Sequence, residues 1–182
     1  MMMKLEKMSD EGLMQLVSAR EAEAFQALYD RYAGRVFAFL RRHCGDSGLA
    51  EDLLQETFWR VWLSARTFDP SRGDFCRWIY RVALNVSRNE MFRRRNRREC
   101  GLEPFEGESR GNVPPAGLET GLARALEKLT PAMREVVVLR CMEGWKFNEI
   151  ESATGTSTGT LKARFHRAIK ELRRLLSWEE NR

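Results

Sequence analysis

The sequence predicts an all-α protein made of two small helical domains joined by a flexible linker, the C-terminal domain a helix-turn-helix. Three observations carry this reading. Apolar residues recur at three- and four-residue spacing through most of residues 9–98 and 122–177. Residues 99–121 break that periodicity with five glycines, three prolines and few large apolar side chains. The one strand-like run, Val136-Val137-Val138, begins after Thr130-Pro131, stops at Gly144 and has no second strand to pair with. The expected organisation is therefore a first domain over residues 1–98, a linker over 99–121 and a second domain over 122–182.

In the first domain Ser9 or Asp10 caps a short helix with Leu13, Leu16 and Val17 on one side. A longer periodic run follows from Glu21 to His43, carrying Phe25, Leu28, Tyr29, Tyr32, Val36, Phe37 and Leu40. Cys44-Gly45-Asp46-Ser47-Gly48 punctuates it as a turn. From Leu49 a third helix turns Leu49, Leu53, Phe58, Val61 and Trp62 inward, and leaves Glu51, Asp52, Gln55, Glu56 and Trp59 for the outside. An exposed aromatic among carboxylates suits a protein docking face, and equally an ordinary solvated stripe. Asp69-Pro70-Ser71-Arg72-Gly73 then turns the chain.

The stretch from Phe75 to Arg98 organises this domain. Phe75, Trp78, Ile79, Val82, Leu84 and Val86 form an apolar half, and Arg88, Arg93, Arg94, Arg95, Arg97 and Arg98 a cationic half. Without a proline, one helix of about six turns holds both. Six arginines within residues 88–98, offset only by Glu90, repel one another unless a polyanion lies near. Arginine matches phosphate with two parallel hydrogen bonds, so nucleic acid is the first partner to test against a merely solvated helix end.

In the second domain Leu122, Leu126 and Leu129 mark a short helix, and Thr130 caps the next with Pro131 at its first position. FNEIESATG and TSTGTLKARFHRAIKELRRLLSWEE then give a helix, a stop at Gly155 and a basic helix capped within Thr156–Thr158. Leu161, Phe165, Ile169, Leu172 and Leu176 supply its apolar side, with Lys162, Arg164, Arg167 and Lys170 mostly displaced from it. This geometry places a second helix in the DNA major groove; a helical hairpin with a positive surface fits the same pattern.

The totals narrow the function class. A formal net charge of +5 on 182 residues favours an anionic partner. Residues 1–56 are net acidic, whereas 88–98 and the last two dozen residues are basic, so separate regions suit separate partners. Cys44, Cys76, Cys100 and Cys141 are scattered without a CxxC pair, which predicts separate thiols in a reducing cytoplasm and no metal site. MMMKLEKM is too short and too charged for a signal peptide, and no apolar run approaches a membrane span, so no membrane insertion is expected. His43 and His166 lie on arginine-rich helices and no nucleophile motif or phosphate-binding glycine loop occurs, so neither catalysis nor a cofactor is expected. A helical adaptor docking through its acidic helix and a stand-alone regulator using only the terminal helix-turn-helix remain alternatives. The first does not account for two basic elements in separate domains, and the second leaves the acidic-aromatic helix unused.

Taken together, the blocks FQALYDRYAGRVFAFLRRHCGD, LAEDLLQETFWRVW, FDPSRGDFCRWIYRVALNVSRNEMFRRRNRR, LTPAMREVVVLRCMEGWKFNEI and GTLKARFHRAIKELR resemble, in order and spacing, bacterial sigma factors of the extracytoplasmic-function type within the sigma-70 family. The resemblance implies a sigma factor that binds core RNA polymerase, through the clamp helices and flap, and directs initiation at minus-ten and minus-thirty-five elements. It assigns Asp52, Leu53, Gln55, Glu56 and Phe58 to the polymerase-docking patch. It assigns Trp78, Arg81, Asn85, Arg88, Arg93, Arg94 and Arg95 to the opened minus-ten DNA, although Trp78 also shares the apolar face. For the minus-thirty-five element it implies Ser157, Thr158, Thr160, Lys162, Ala163, Arg164, His166 and Arg167, with Arg164 as the base reader. An anti-sigma partner is implied as well. The chain departs from the family where Glu151 replaces a small alanine after Ile150, and where Thr154 and Thr156 replace larger aliphatic residues. Hydroxyls there are expected to weaken the small core by about 1 kcal/mol per site. Glu151 is expected to swing out or find a cation.

Overall fold

A computed structural model describes residues 5, 7–99 and 120–180, all of its regular structure helical. The chain divides into two compact units, residues 1–40 with 48–108 and residues 41–47 with 109–182.

The first unit starts with α1 (Asp10–Ser18), whose cap is Ser9: its hydroxyl accepts the Gly12 N–H at 3.2 Å. Asp10 is thereby released for a different task, accepting from the Tyr32 hydroxyl and the Arg31 guanidinium on α2 (Ala22–Cys44). Between the two helices Arg20 takes a left-handed backbone, φ 71°. Its guanidinium donates to the Trp62 carbonyl at 2.7 Å and stacks over the Trp62 ring, which ties this corner to α3 (Ser47–Ser64).

Two short 3-10 turns, Ala65–Thr67 and Pro70–Arg72, lead to α4 (Phe75–Glu99). Asp69 caps the second by accepting the Ser71 N–H at 3.0 Å, and Asp74 caps α4 by accepting the Arg77 N–H at 2.7 Å. Aromatic rings join α2 to α3 and α4. Tyr29 meets Phe58 at 4.7 Å between centroids, Phe25 meets Trp62 at 5.3 Å, Tyr32 meets Phe75 at 5.1 Å and Phe39 meets Tyr80 at 5.1 Å. Phe39, absent from the predicted inward set, is fully buried.

The second unit opens with α5 (Thr120–Lys128). Thr130 then caps α6 (Pro131–Val137), accepting the Met133 N–H at 3.4 Å, and the valine run is helical as the Thr-Pro start predicts. Its continuation, Val138–Met142, widens into a single π-helical turn before Gly144 ends it with φ 72°. Next come α7 (Phe147–Thr154) and α8 (Thr158–Glu180), and α8 packs on α5, α6 and α7. Ala125, Leu126, Leu129, Val137, Ala168 and Leu172 form a buried core there.

Both helices beside the predicted linker reach slightly into it, α4 through Glu99 and α5 from Thr120. Residues 100–119 of that predicted linker lie outside the described residues. Cys44 and Cys76 are half-buried thiols and Cys141 an exposed one, and Cys100 is also outside the described residues. Among the described residues no helix is long and apolar enough to cross a membrane.

Candidate nucleic-acid interface

The helix-turn-helix is built from polar contacts inside its own turn. Gly155 stops α7 in the left-handed conformation, φ 68°, a backbone that glycine adopts without a Cβ clash, and its N–H donates to the Glu151 carbonyl at 2.8 Å. The Thr156 N–H donates to the Thr154 hydroxyl at 3.2 Å. The Glu151 carboxylate accepts the Thr158 N–H at 3.2 Å and the Thr158 hydroxyl at 2.7 Å. Its charge alone led to the expectation that Glu151 would swing out or find a cation; among the described residues it does neither, and it meets the positive end of α8 instead.

On α8, Leu161, Ala168 and Leu172 turn into the core, and Phe165 packs edge-on against Phe147 at 5.7 Å. The opposite face exposes Ser157, Thr160, Lys162, Ala163, His166 and Arg167, while Arg164 and Thr158 are half-buried. The Ser157 and Thr160 hydroxyls pair at 3.0 Å. Of the eight residues expected at the upstream element, Ser157 immediately precedes α8 and the other seven lie in its first three turns, and six of the eight are exposed.

In the first unit α3 exposes Glu51, Asp52, Gln55 and Trp59, the last at 57%, with Glu56 half-buried and joined to Arg60 at 2.6 Å. Leu53 and Phe58, expected in the docking patch, are inside: they are 4% and 2% exposed, and Phe58 stacks on Tyr29 and Phe25. Helical phase decides this, because the ring-lined side of α3 is the one that faces α2. Both side chains pack beneath the exposed face of α3.

Beside that face a groove of about 330 Å³ runs between α3 and α4. Carboxylates of Asp52, Glu56 and Glu90 and guanidiniums of Arg60, Arg93 and Arg94 line it. Glu90 reaches Arg94 at 3.2 Å and Arg93 at 3.8 Å. Farther along α4, Asn85 and Arg95 are exposed and Arg81 and Arg88 half-buried. Trp78 is half-buried in the aromatic cluster, 5.6 Å from Phe68 and 5.9 Å from Phe75. Phe92, which the sequence reading passed over, is 64% exposed among the arginines. Its position outside the apolar stripe was the available signal. Among the described residues no group of three or more histidine, cysteine or carboxylate side chains gathers to hold a metal ion.

Residues 28–99 match Sigma-70 region 2, and residues 120–172 match Sigma-70, region 4. The chain is 31% identical over 160 residues to an ECF RNA polymerase sigma factor, SigL of Mycobacterium tuberculosis, covering 86% of this chain and 90% of that protein. It belongs to the sigma-70 family, in the extracytoplasmic-function group. This sigma factor is also 37% identical to the RNA polymerase sigma factor CarQ of Myxococcus xanthus over 159 residues, 85% of this chain and 90% of CarQ. CnrH, solved in complex with the cytosolic domain of CnrY, matches it with a TM-score of 0.63 at 29% identity, over 92% of this chain and 97% of CnrH. The sigma factor RpoE, solved with the anti-sigma factor NepR from Bartonella quintana, shares the fold, with a TM-score of 0.70 at 22% identity over 84% of this chain and 96% of RpoE. The present sigma factor directs RNA polymerase to promoters, and bond formation belongs to the polymerase.

Proposed function

We propose that the sigma factor grips core RNA polymerase through Asp52, Gln55 and Glu56 on α3, and engages the promoter separately with α4 and α8. The observation that carries this is the distribution of charge over surfaces. An acidic face bearing an exposed tryptophan and an arginine-rich helix end belong to one unit, and a basic, hydroxyl-edged helix face to the other. In this reading residues 1–98 act as the polymerase-binding and minus-ten module, 122–182 as the minus-thirty-five module, and 99–121 as a tether that lets each dock on its own element.

Arg88, Arg93, Arg94 and Arg95 supply phosphate contacts beside the opened strand, with Arg81 and Asn85 one to two turns earlier on α4. Extruding a base costs about a few kcal/mol, offset by contacts that only the separated strand makes. On α8, Ser157, Thr158, Thr160, Lys162, Arg164, His166 and Arg167 face the upstream duplex, with Ala163 giving the helix close approach. The clamp helices and flap of the polymerase are the docking partners, in the cytoplasm. CnrH binds the cytosolic domain of another protein, which supports a protein partner here, an anti-sigma factor by family resemblance.

Run-off transcription with purified core polymerase tests the proposal: adding this chain yields transcripts from a defined start site. Transcripts with unchanged ends, or none, defeat it. Loss of polymerase capture in Asp52→Lys and Glu56→Lys locates the docking face.

A further inference from the structure

We infer that Glu151 is a positioning residue for α8, setting upstream-sequence selectivity through Thr158. The inference rests on the reading of α8 as the DNA-facing helix. One carboxylate oxygen of Glu151 accepts the Thr158 N–H at 3.2 Å and the other the Thr158 hydroxyl at 2.7 Å, across the whole turn.

Three physical consequences follow from that pair of bonds. The first turn of a helix carries backbone N–H groups without helical partners, and a carboxylate there satisfies one of them and complements the helix dipole. Glu151 sits on α7, so this bond fixes the angle and register at which α8 leaves the turn. Second, an anion already occupies the Thr158 N–H, so a DNA phosphate does not bind there. Third, the Thr158 hydroxyl proton is committed to Glu151, and the Ser157 and Thr160 hydroxyls engage each other at 3.0 Å. Thr158 is left as an acceptor only, and reading of base acceptors falls to Arg164 and to whichever hydroxyl of the Ser157–Thr160 pair keeps its proton.

The test uses the full chain assembled with core polymerase. The probe is the upstream sequence that wild-type holoenzyme enriches from duplexes randomised in that region. Glu151→Ala lowers the preference for enriched over random sequence by about tenfold, the worth of one charge-assisted hydrogen bond, while affinity for random duplex holds or rises. Glu151→Gln, which keeps an acceptor oxygen, recovers most of the preference. Thr158→Val loses preference in the same direction, and the double variant with Glu151→Ala is no worse than the poorer single one. In the free protein, exchange of the Thr158 amide hydrogen accelerates in Glu151→Ala and not in Glu151→Gln. Unaltered preference, additive losses, or an equal loss on random duplex overturns the inference. Should Glu151→Ala fail to fold, Glu151→Gln and Thr158→Val decide by the same criteria. If wild-type enriches no upstream sequence, the DNA-reading assignment of α8 falls instead, and the inference with it.

Discussion

Arg134 donates from Nε to the Leu126 carbonyl at 2.9 Å, closing the C-terminal end of α5 with a side chain from α6. Its Nη2 reaches the Glu127 carbonyl at 2.6 Å and the Leu129 carbonyl at 3.4 Å. Leu126 and Glu127 belong to the last turn and Leu129 follows it, where helical N–H donors run out; the Leu126 carbonyl also accepts the Leu129 N–H at 3.2 Å. Burial pushes the guanidinium pKa down from its ordinary value, an effect partly opposed by the Glu127 carboxylate. Arg134→Met is expected to destabilise the second unit by about 2–3 kcal/mol in denaturant unfolding. Arg134→Lys recovers only part, because an ammonium does not span three carbonyls. A lysine variant as stable as the parent would contradict this role.

Tyr32 predicts alkaline sensitivity. Burial, reinforced by its hydrogen bond to Asp10 and the charge of that carboxylate, raises the phenol well above its ordinary pKa. The neutral form is therefore favoured by folding. Its contribution is complete below the unfolded pKa of about 10 and is lost progressively as pH rises from there towards the higher folded value. Melting temperature followed between pH 7 and 11 should fall at the alkaline end, and Tyr32→Phe should flatten that fall while costing about 1 kcal/mol at neutral pH. An identical alkaline slope in both proteins would assign the loss to another group.

Phe58 and Asp52 should separate cleanly. Phe58→Ala removes a ring packed on Tyr29 and Phe25 and should cost about 3–5 kcal/mol of stability. Asp52→Lys changes an exposed position and should shift stability by no more than about 0.5 kcal/mol, while weakening polymerase capture. A Phe58→Ala protein with parental melting and lost capture would return Phe58 to the docking surface.

Glu90 restrains the basic end of α4. Arg93 and Arg94 are 66% and 37% exposed, so their ion pairs add little to stability in solvent. On the proposal that α4 meets promoter phosphates, removing the carboxylate should change DNA binding instead. Glu90→Gln should strengthen binding to non-specific duplex and steepen the slope of log affinity against log salt by about one. Binding titrations at several salt concentrations measure that slope, and no change would detach Glu90 from the DNA-facing arginines.

Arg164 should read a base. Arg164→Ala is expected to cost about 1–3 kcal/mol and to relax discrimination at one upstream position. Lys162→Ala and Arg167→Ala, on the exposed face, should weaken all sequences alike. Selection from a randomised upstream element distinguishes the two behaviours; a uniform loss for Arg164→Ala would make it a phosphate contact.

Much of the helical framework was legible because periodicity and caps are local properties. Ser9, Thr130-Pro131 and Gly155 each do in space what their residue types imply in sequence. The valine run illustrates the same point, since its Pro start and Gly stop outweighed strand propensity. Surface assignment was less legible, because two signals conflicted at Leu53 and Phe58: spacing turned both inward, and family resemblance put both in the docking patch. Packing of α3 on α2 resolves the conflict in favour of burial. Phe92 was not legible because a lone aromatic among arginines on a polar helix face carries no periodicity of its own.

By itself the sequence determined which segments are helical, most of their ends to within a residue or two, and that acidic and basic character lie on different ones, since each is decided by neighbours within a turn or two; α3 nevertheless starts at Ser47, inside the expected turn. The tertiary structure alone decided that α3 hides Phe58 and shows Asp52, and that Glu90 shares a groove with Arg60. It alone brought Glu151 to the N-terminus of α8, seven residues on. Those relationships depend on how helices cross, and a carboxylate finds its hydrogen-bond donor only once the turn has brought the two together.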